Sequence, residues 1–168
     1  TFKKYNKTLG SQKKVTYLNP KDTDDGYFIE TGWAASNIKG LPNKDTIWKV
    51  KGNSKLSSGN SVTIEWDNKS GLVFIKKFEL DEKFLFKVTQ EIQNKSNASV
   101  ELYPYAQITR NQKPVLEAGS MSGTLILHDG YIGVFDEDLK EYDYDDIKDK
   151  KKEHSAESGW LGITDKFW

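Results

Sequence analysis

Hydrophobic and polar positions alternate along most of the chain, the two-residue period of an extended strand. Residues 27–33 (YFIETGW) set Tyr27, Ile29 and Trp33 on one face. Residues 61–66 (SVTIEW) repeat the pattern with Val62, Ile64 and Trp66. A polar run ending in glycine, DNKSG at 67–71, separates them from LVFI at 72–75, which predicts a hairpin. Over residues 84–92 (FLFKVTQEI), Phe84, Phe86, Val88 and Ile92 share one face, and Lys87, Thr89 and Glu91 form a wet face opposite. After a turn at 94–97, residues 99–109 (SVELYPYAQIT) point Val100, Leu102, Ala106 and Ile108 inward. Pro104 has no N–H to donate, so that strand is predicted to lie at a sheet edge or to bulge there. Residues 160–168 (WLGITDKFW) are predicted as the last strand, entered through Gly159. Apolar residues fall on both of its faces, as in a strand covered on two sides. Asp165 and Lys166 then turn the chain out.

Strands joined by short polar turns, with no long helices between them, predict antiparallel sheets packed as a sandwich. One helix is expected within 143–153 (DYDDIKDKKKE), where acids come first and lysines last, an order that suits the helix dipole. Its small apolar face makes it short and surface-lying. Residues 39–45 and 51–60 read as loops. The expected core includes Ile64, Trp66, Phe86, Val88, Leu102 and Ile108, with Trp33 and Trp48 as further core rings.

Composition narrows the chemistry. A length of 168 residues fits one domain with a real core. Twenty-five basic and 25 acidic side chains cancel, which removes the global positive field of a nucleic-acid binder. With no cysteine there is no disulfide, no thiolate metal site and no cysteine nucleophile. Two histidines are little material for a metal site, and neither a metal nor a cofactor is expected. His128, at the end of an apolar run, reads as a surface side chain, and His154 as a solvated one. Asp22, Asp24 and Asp25, and again Asp136, Glu137 and Asp138, read as turn residues. They lack the alternating ligands and closing Glu of a calcium loop. No phosphate loop and no nucleophile elbow occurs. Lys150, Lys151 and Lys152 form a solvated face that near a membrane would attract anionic headgroups. No apolar run approaches the ~20 residues that span a bilayer, and there is no basic segment followed by an apolar one of the signal-peptide kind. The chain begins without Met and stops just after an apolar stretch, so it reads as a piece of a longer protein.

The last residues, 158–168 (SGWLGITDKFW), resemble the stretch that ends the large periplasmic domain of the bacterial membrane-protein insertase family YidC. Residues 27–33 resemble that family's early strand, and 62–71 its central hairpin. Residues 102–110 (LYPYAQITR) resemble its P-Y-G-x-I-x-R strand, with Ala106 where Gly is usual. Residues 130–135 (GYIGVF) and 139–146 (LKEYDYDD) resemble the segment leading to the last strand.

The resemblance implies an antiparallel β-supersandwich, similar to galactose mutarotase, with at most one or two short helices. It implies that residues 1–168 are a single periplasmic domain lying between the first and second transmembrane segments of a multi-pass protein. The implied location is the periplasmic side of the bacterial inner membrane. The implied role is a non-catalytic scaffold that assists insertion and folding of membrane proteins, alone or with the Sec translocon. Sec components and membrane-protein clients are the implied partners, with no nucleic acid, and the isolated domain is expected to be monomeric. Mutarotases use a His acid and a carboxylate base, but neither His128 nor His154 lies in such a motif, so no enzyme is expected. The alternative is a carbohydrate-binding or mutarotase-like sandwich, which needs an aromatic platform and polar groups converging on a concave face. Trp160, Leu161, Ile163, Phe167 and Trp168 are the expected membrane-proximal or partner-facing residues, since amphipathic aromatics favour the membrane interface. The competing expectation is that Phe167 and Trp168 close the core.

Overall fold

A computed structural model describes residues 5–7, 9–113, 128–148 and 150–164. Among them the fold is all-β and antiparallel, with one five-residue helix. The chain divides into two compact units, residues 30–107 and residues 1–29 with 108–168. Strands β1 (Tyr27–Ala34) and β6 (Tyr103–Arg110) pair with each other and contribute to both.

In unit 30–107, β2 (Lys49–Lys51), β3 (Val62–Asp67), β4 (Leu72–Leu80) and β5 (Phe86–Asn94) form a sheet in sequence order. The predicted hairpin is present, with Trp66 opposite Phe74. Its turn is built by side chains imitating backbone. The Asp67 carboxylate accepts from the Lys69 amide at 2.7 Å, and Asn68 Oδ1 accepts from the amides of Ser70 and Leu72. Such local bonds are why Asp and Asn favour turns.

Register places Val62, Ile64, Trp66, Leu72, Phe74, Phe78, Phe86, Val88 and Ile92 on one sheet face. The core sits on one end of that face. Phe74 is fully buried, with Trp33 edge-on at 5.1 Å and Trp66 stacked at 5.8 Å. Ile38, Leu41, Trp48, Ile92, Val100 and Leu102 close around them. The three tryptophans expected in the core are there. Lys76 shares the apolar face, with its ammonium group met by oxygens and aromatic rings. Its Nζ donates to the Thr31 carbonyl and to Thr31 Oγ1, under the rings of Trp33 and Trp48. Burial pulls its pKa below the ordinary lysine value.

Three burial expectations, at Phe86, Val88 and Ala106, need correction. Phe86 and Val88 lie on the correct face but are 45% and 39% exposed. They occupy the outermost strand, toward the end of the face away from the Trp cluster. Ile29 is exposed where β1 passes from one unit to the other. Ala106 is exposed on β6, whose described neighbour is β1 alone, in keeping with an edge near Pro104.

In the other unit, β7 (Gly130–Phe135) lies between β8 (Asp138–Asp143) and β9 (Gly159–Thr164). The β7–β8 link has two residues, Asp136 and Glu137, with φ of 49° and 74°. Positive φ at both central positions matches the right-handed strand twist. Helix α1 (Tyr144–Lys148) falls within the predicted window, with Asp145 and Asp146 in its first turn. Gly159 opens β9 at φ 151°, and any Cβ there would overlap the Val134 carbonyl. Among the described residues no helix is long and apolar enough to cross a membrane.

Candidate functional site

The residues expected to face a membrane or a partner lie on β9, and the structure separates them. Ile163 is buried, and its carbonyl accepts from Tyr27 Oη at 3.3 Å. Arg110 lies over the same Tyr27 ring at 4.9 Å. Trp160 and Leu161 are 55% and 63% exposed, opposite Val134 and Gly133 of β7. The expected strand with two covered faces is therefore corrected. In antiparallel alternation Trp160 and Leu161 project to opposite sides, and neither side is filled at that end of β9. Phe167 and Trp168 lie outside the described residues.

The start of β9 is fixed by Asp136. Its carboxylate accepts from the amides of Glu157 and Ser158 at 2.9–3.1 Å, while its own amide donates to the Ser158 carbonyl. Hydrogen bonds from Ser158 and then Glu157 hold this carboxyl below its ordinary pKa. The acidic cluster is thus a structural clamp between a hairpin tip and the last strand.

Both histidines have defined neighbours. His128 is corrected from a surface side chain to a largely buried one, 14% exposed. Its Nε2 stands 3.0 Å from the Tyr131 carbonyl, which only accepts, so Nε2 carries the proton. Nδ1 lies 3.8 Å from the exposed Asp143 carboxylate. His154 is exposed as expected, though stacked on Phe135 at 4.7 Å and bonded to Tyr142 Oη at 2.8 Å. Among the described residues no group of three or more His, Asp or Glu is placed to hold a metal.

A shallow groove of about 320 Å³ runs across the polar face of the four-stranded sheet. Lys51, Glu65, Asp67 and Lys95 line it, with Val73 and Ile75 at its floor. The Lys51–Glu65 pair, 3.3 Å apart, spans it. It contains no aromatic ring. The three-residue strand β2, which supplies Lys51, was missed in the sequence because Lys-Val-Lys is too short to establish a period.

The family that matches is the YidC periplasmic domain, over residues 1–168. The chain belongs to that family. The "Membrane protein insertase YidC" of Pelagibacter ubique (strain HTCC1062) is 44% identical over all of this chain and 29% of its own length. That of Methylorubrum extorquens (strain PA1) is 37% identical over all of the chain and 28% of its own length. That of Rickettsia bellii (strain OSU 85-389) is 42% identical over 99% and 30%. This YidC periplasmic domain thus spans about three tenths of the length of the relatives it matches. No solved structure matches it.

Proposed function

We propose that residues 1–168 act as one periplasmic domain of a multi-pass inner-membrane insertase. It serves as a non-catalytic scaffold and interaction module while membrane proteins are inserted and folded, alone or with the Sec translocon. The observation that carries this reading is the match of the family to the whole chain. Three further observations support it. Each histidine is engaged by backbone or aromatic neighbours rather than by an open cleft. The groove lacks the aromatic platform of a sugar site. On β9, Trp160 and Leu161 stand exposed as large apolar side chains, the kind that anchor protein or membrane contacts.

The test places photo-crosslinking residues at positions 160 and 161 of the full-length protein, in cells depleted of their own insertase. Crosslinks to Sec components, to a nascent membrane protein or to lipid are expected, and Leu161→Glu should weaken client insertion. If no crosslink forms at either position and Leu161→Glu inserts clients normally, β9 is not the contact surface. Mutarotation of an aldose by the purified domain would overturn the non-catalytic reading, and calorimetric sugar binding would favour the carbohydrate alternative.

A further inference from the structure

Among the described residues, strand β5 is the outer strand of the four-stranded sheet. It is nine residues long, contains neither Pro nor Gly, and keeps an unbroken register from Leu72 opposite Asn94 to Leu80 opposite Phe86. Exposed strand edges are normally blunted by proline, bulges or brevity. β5 has none of these, and the one blunting device it carries is edge charge, at Lys87 and Glu91. Along β5 only Gln90 and Ile92 are even partly covered, whereas β4, flanked on both sides, has no exposed residue.

The hydrogen-bond phase of this edge follows from its two ends. Asp81 donates its amide to the Leu85 carbonyl, and Lys95 donates to the Gly71 carbonyl. Antiparallel pairs alternate between bonded and non-bonded. Odd-numbered residues of β5 therefore direct their backbone groups at β4, and even-numbered ones, Val88, Gln90 and Ile92 among them, direct theirs outward.

The side chains along the edge are self-complementary. When two copies of β5 run antiparallel with Thr89 opposite Thr89, Lys87 faces Glu91 twice by symmetry. Phe86 then faces Ile92 on the other side of the ribbon, and Val88 faces Gln90. In this register Val88 and Gln90 form the central hydrogen-bonded pairs. The ion pairs fall in the non-bonded pairs, where side chains approach most closely. Sliding the copies by one step of the ladder in either direction leaves Lys87 opposite Gln93 or Thr89, and both ion pairs are lost. Within one copy, Lys87 already lies opposite Glu79 on β4, and Glu91 Oε1 accepts only a long 3.4 Å bond from Gln93. Both charges are exposed and within reach of a partner strand.

We propose that β5 pairs antiparallel with β5 of a second copy of this chain, joining two four-stranded sheets into one of eight through the Lys87–Glu91 pairs about Thr89. This departs from the monomer expected for the isolated domain, and it does not depend on the role of β9.

The experiment is sedimentation velocity of the 168-residue chain over a concentration series, with Lys87→Glu, Glu91→Lys and the double exchange. Circular dichroism and thermal unfolding check that each variant is folded. Each single reversal sets like charges opposite one another twice and should weaken dimerisation by roughly tenfold or more, while the double exchange restores it. A second, independent readout uses the absence of native cysteine. Thr89→Cys sits on the symmetry axis in a non-bonded pair, so mild oxidation should link two copies faster than Asn97→Cys in an exposed turn. The proposal is overturned if the chain is monomeric up to millimolar concentration, leaving the edge to a different partner. It is also overturned if the double exchange fails to restore association, or if Thr89→Cys links no faster than Asn97→Cys.

Discussion

Replacing Phe74 with alanine tests whether the Trp33–Phe74–Trp66 cluster is what holds unit 30–107 together. The ring is fully buried on the second strand from the edge, with β3 and β5 hydrogen-bonded on either side. Large-to-small core changes of this type cost about 3–5 kcal/mol, and the cost rises when the site cannot collapse into the void. A strand held on both sides moves little. The edge-on contact with Trp33 and the stack with Trp66 are lost as well, each of a kind worth about 0.5–1.5 kcal/mol beyond area alone. A loss near 4 kcal/mol is therefore expected, a large share of the ~5–15 kcal/mol that stabilises a typical domain. With a urea slope near ~2 kcal/mol/M, the midpoint should fall by about 2 M. Urea titration followed by tryptophan fluorescence reads this directly, because Trp33 and Trp66 line the vacated space. The matched control is Ile47→Ala at an 85% exposed position, expected within about 0.5 kcal/mol of the parent. A Phe74→Ala loss below about 1.5 kcal/mol, or one no larger than that of the control, would show that the stabilising core of this unit lies elsewhere.

Three further outcomes follow from the geometry. Asp136→Ala should destabilise the chain at neutral pH by releasing the Glu157 and Ser158 amides. Because the folded carboxyl titrates below its unfolded value, this contribution is present above the unfolded pKa and lost as pH falls through the folded one. Parent and variant should therefore converge in acid, and a gap in unfolding midpoint that persists there refutes the clamp. Burial lowers the folded pKa of Lys76 below 10.5, so the unfolded chain binds the extra proton between the two values. Stability of the parent relative to Lys76→Met should rise with pH through that window, and a flat difference between thermal midpoints would show that the ammonium is not desolvated. On β9, Ile163→Ala should cost about 2 kcal/mol or more as a buried truncation. Trp160→Ala, over half exposed, should cost less than about 1 kcal/mol, and the reverse order in thermal unfolding would contradict the assigned face of β9.

Much of this protein was legible in its pattern. Alternation located β1, β3, β5, β6 and β9, and the polar cluster at 67–71 followed by the apolar run at 72–75 placed the hairpin that sets Trp66 against Phe74, although β4 runs on to Leu80. The order of acids and lysines located α1. The five ordered blocks of family resemblance also assigned the family that the whole-chain match bears out. A period of two states which side chains share a face, because successive residues point to opposite sides of a pleated strand. It does not state what lies above that face. Ile92, Val88 and Phe86 are equivalent in pattern, yet Ile92 packs into the Trp cluster while the other two stand exposed. The cover comes from Trp33, Trp48 and Leu102, distant in sequence, and it spans only one end of the sheet. The same holds on β9, where Ile163 meets the Tyr27 hydroxyl and Trp160 meets solvent. Local chemistry determines strand, turn and face, whereas burial depends on which distant segments arrive, and that was decided by tertiary structure alone.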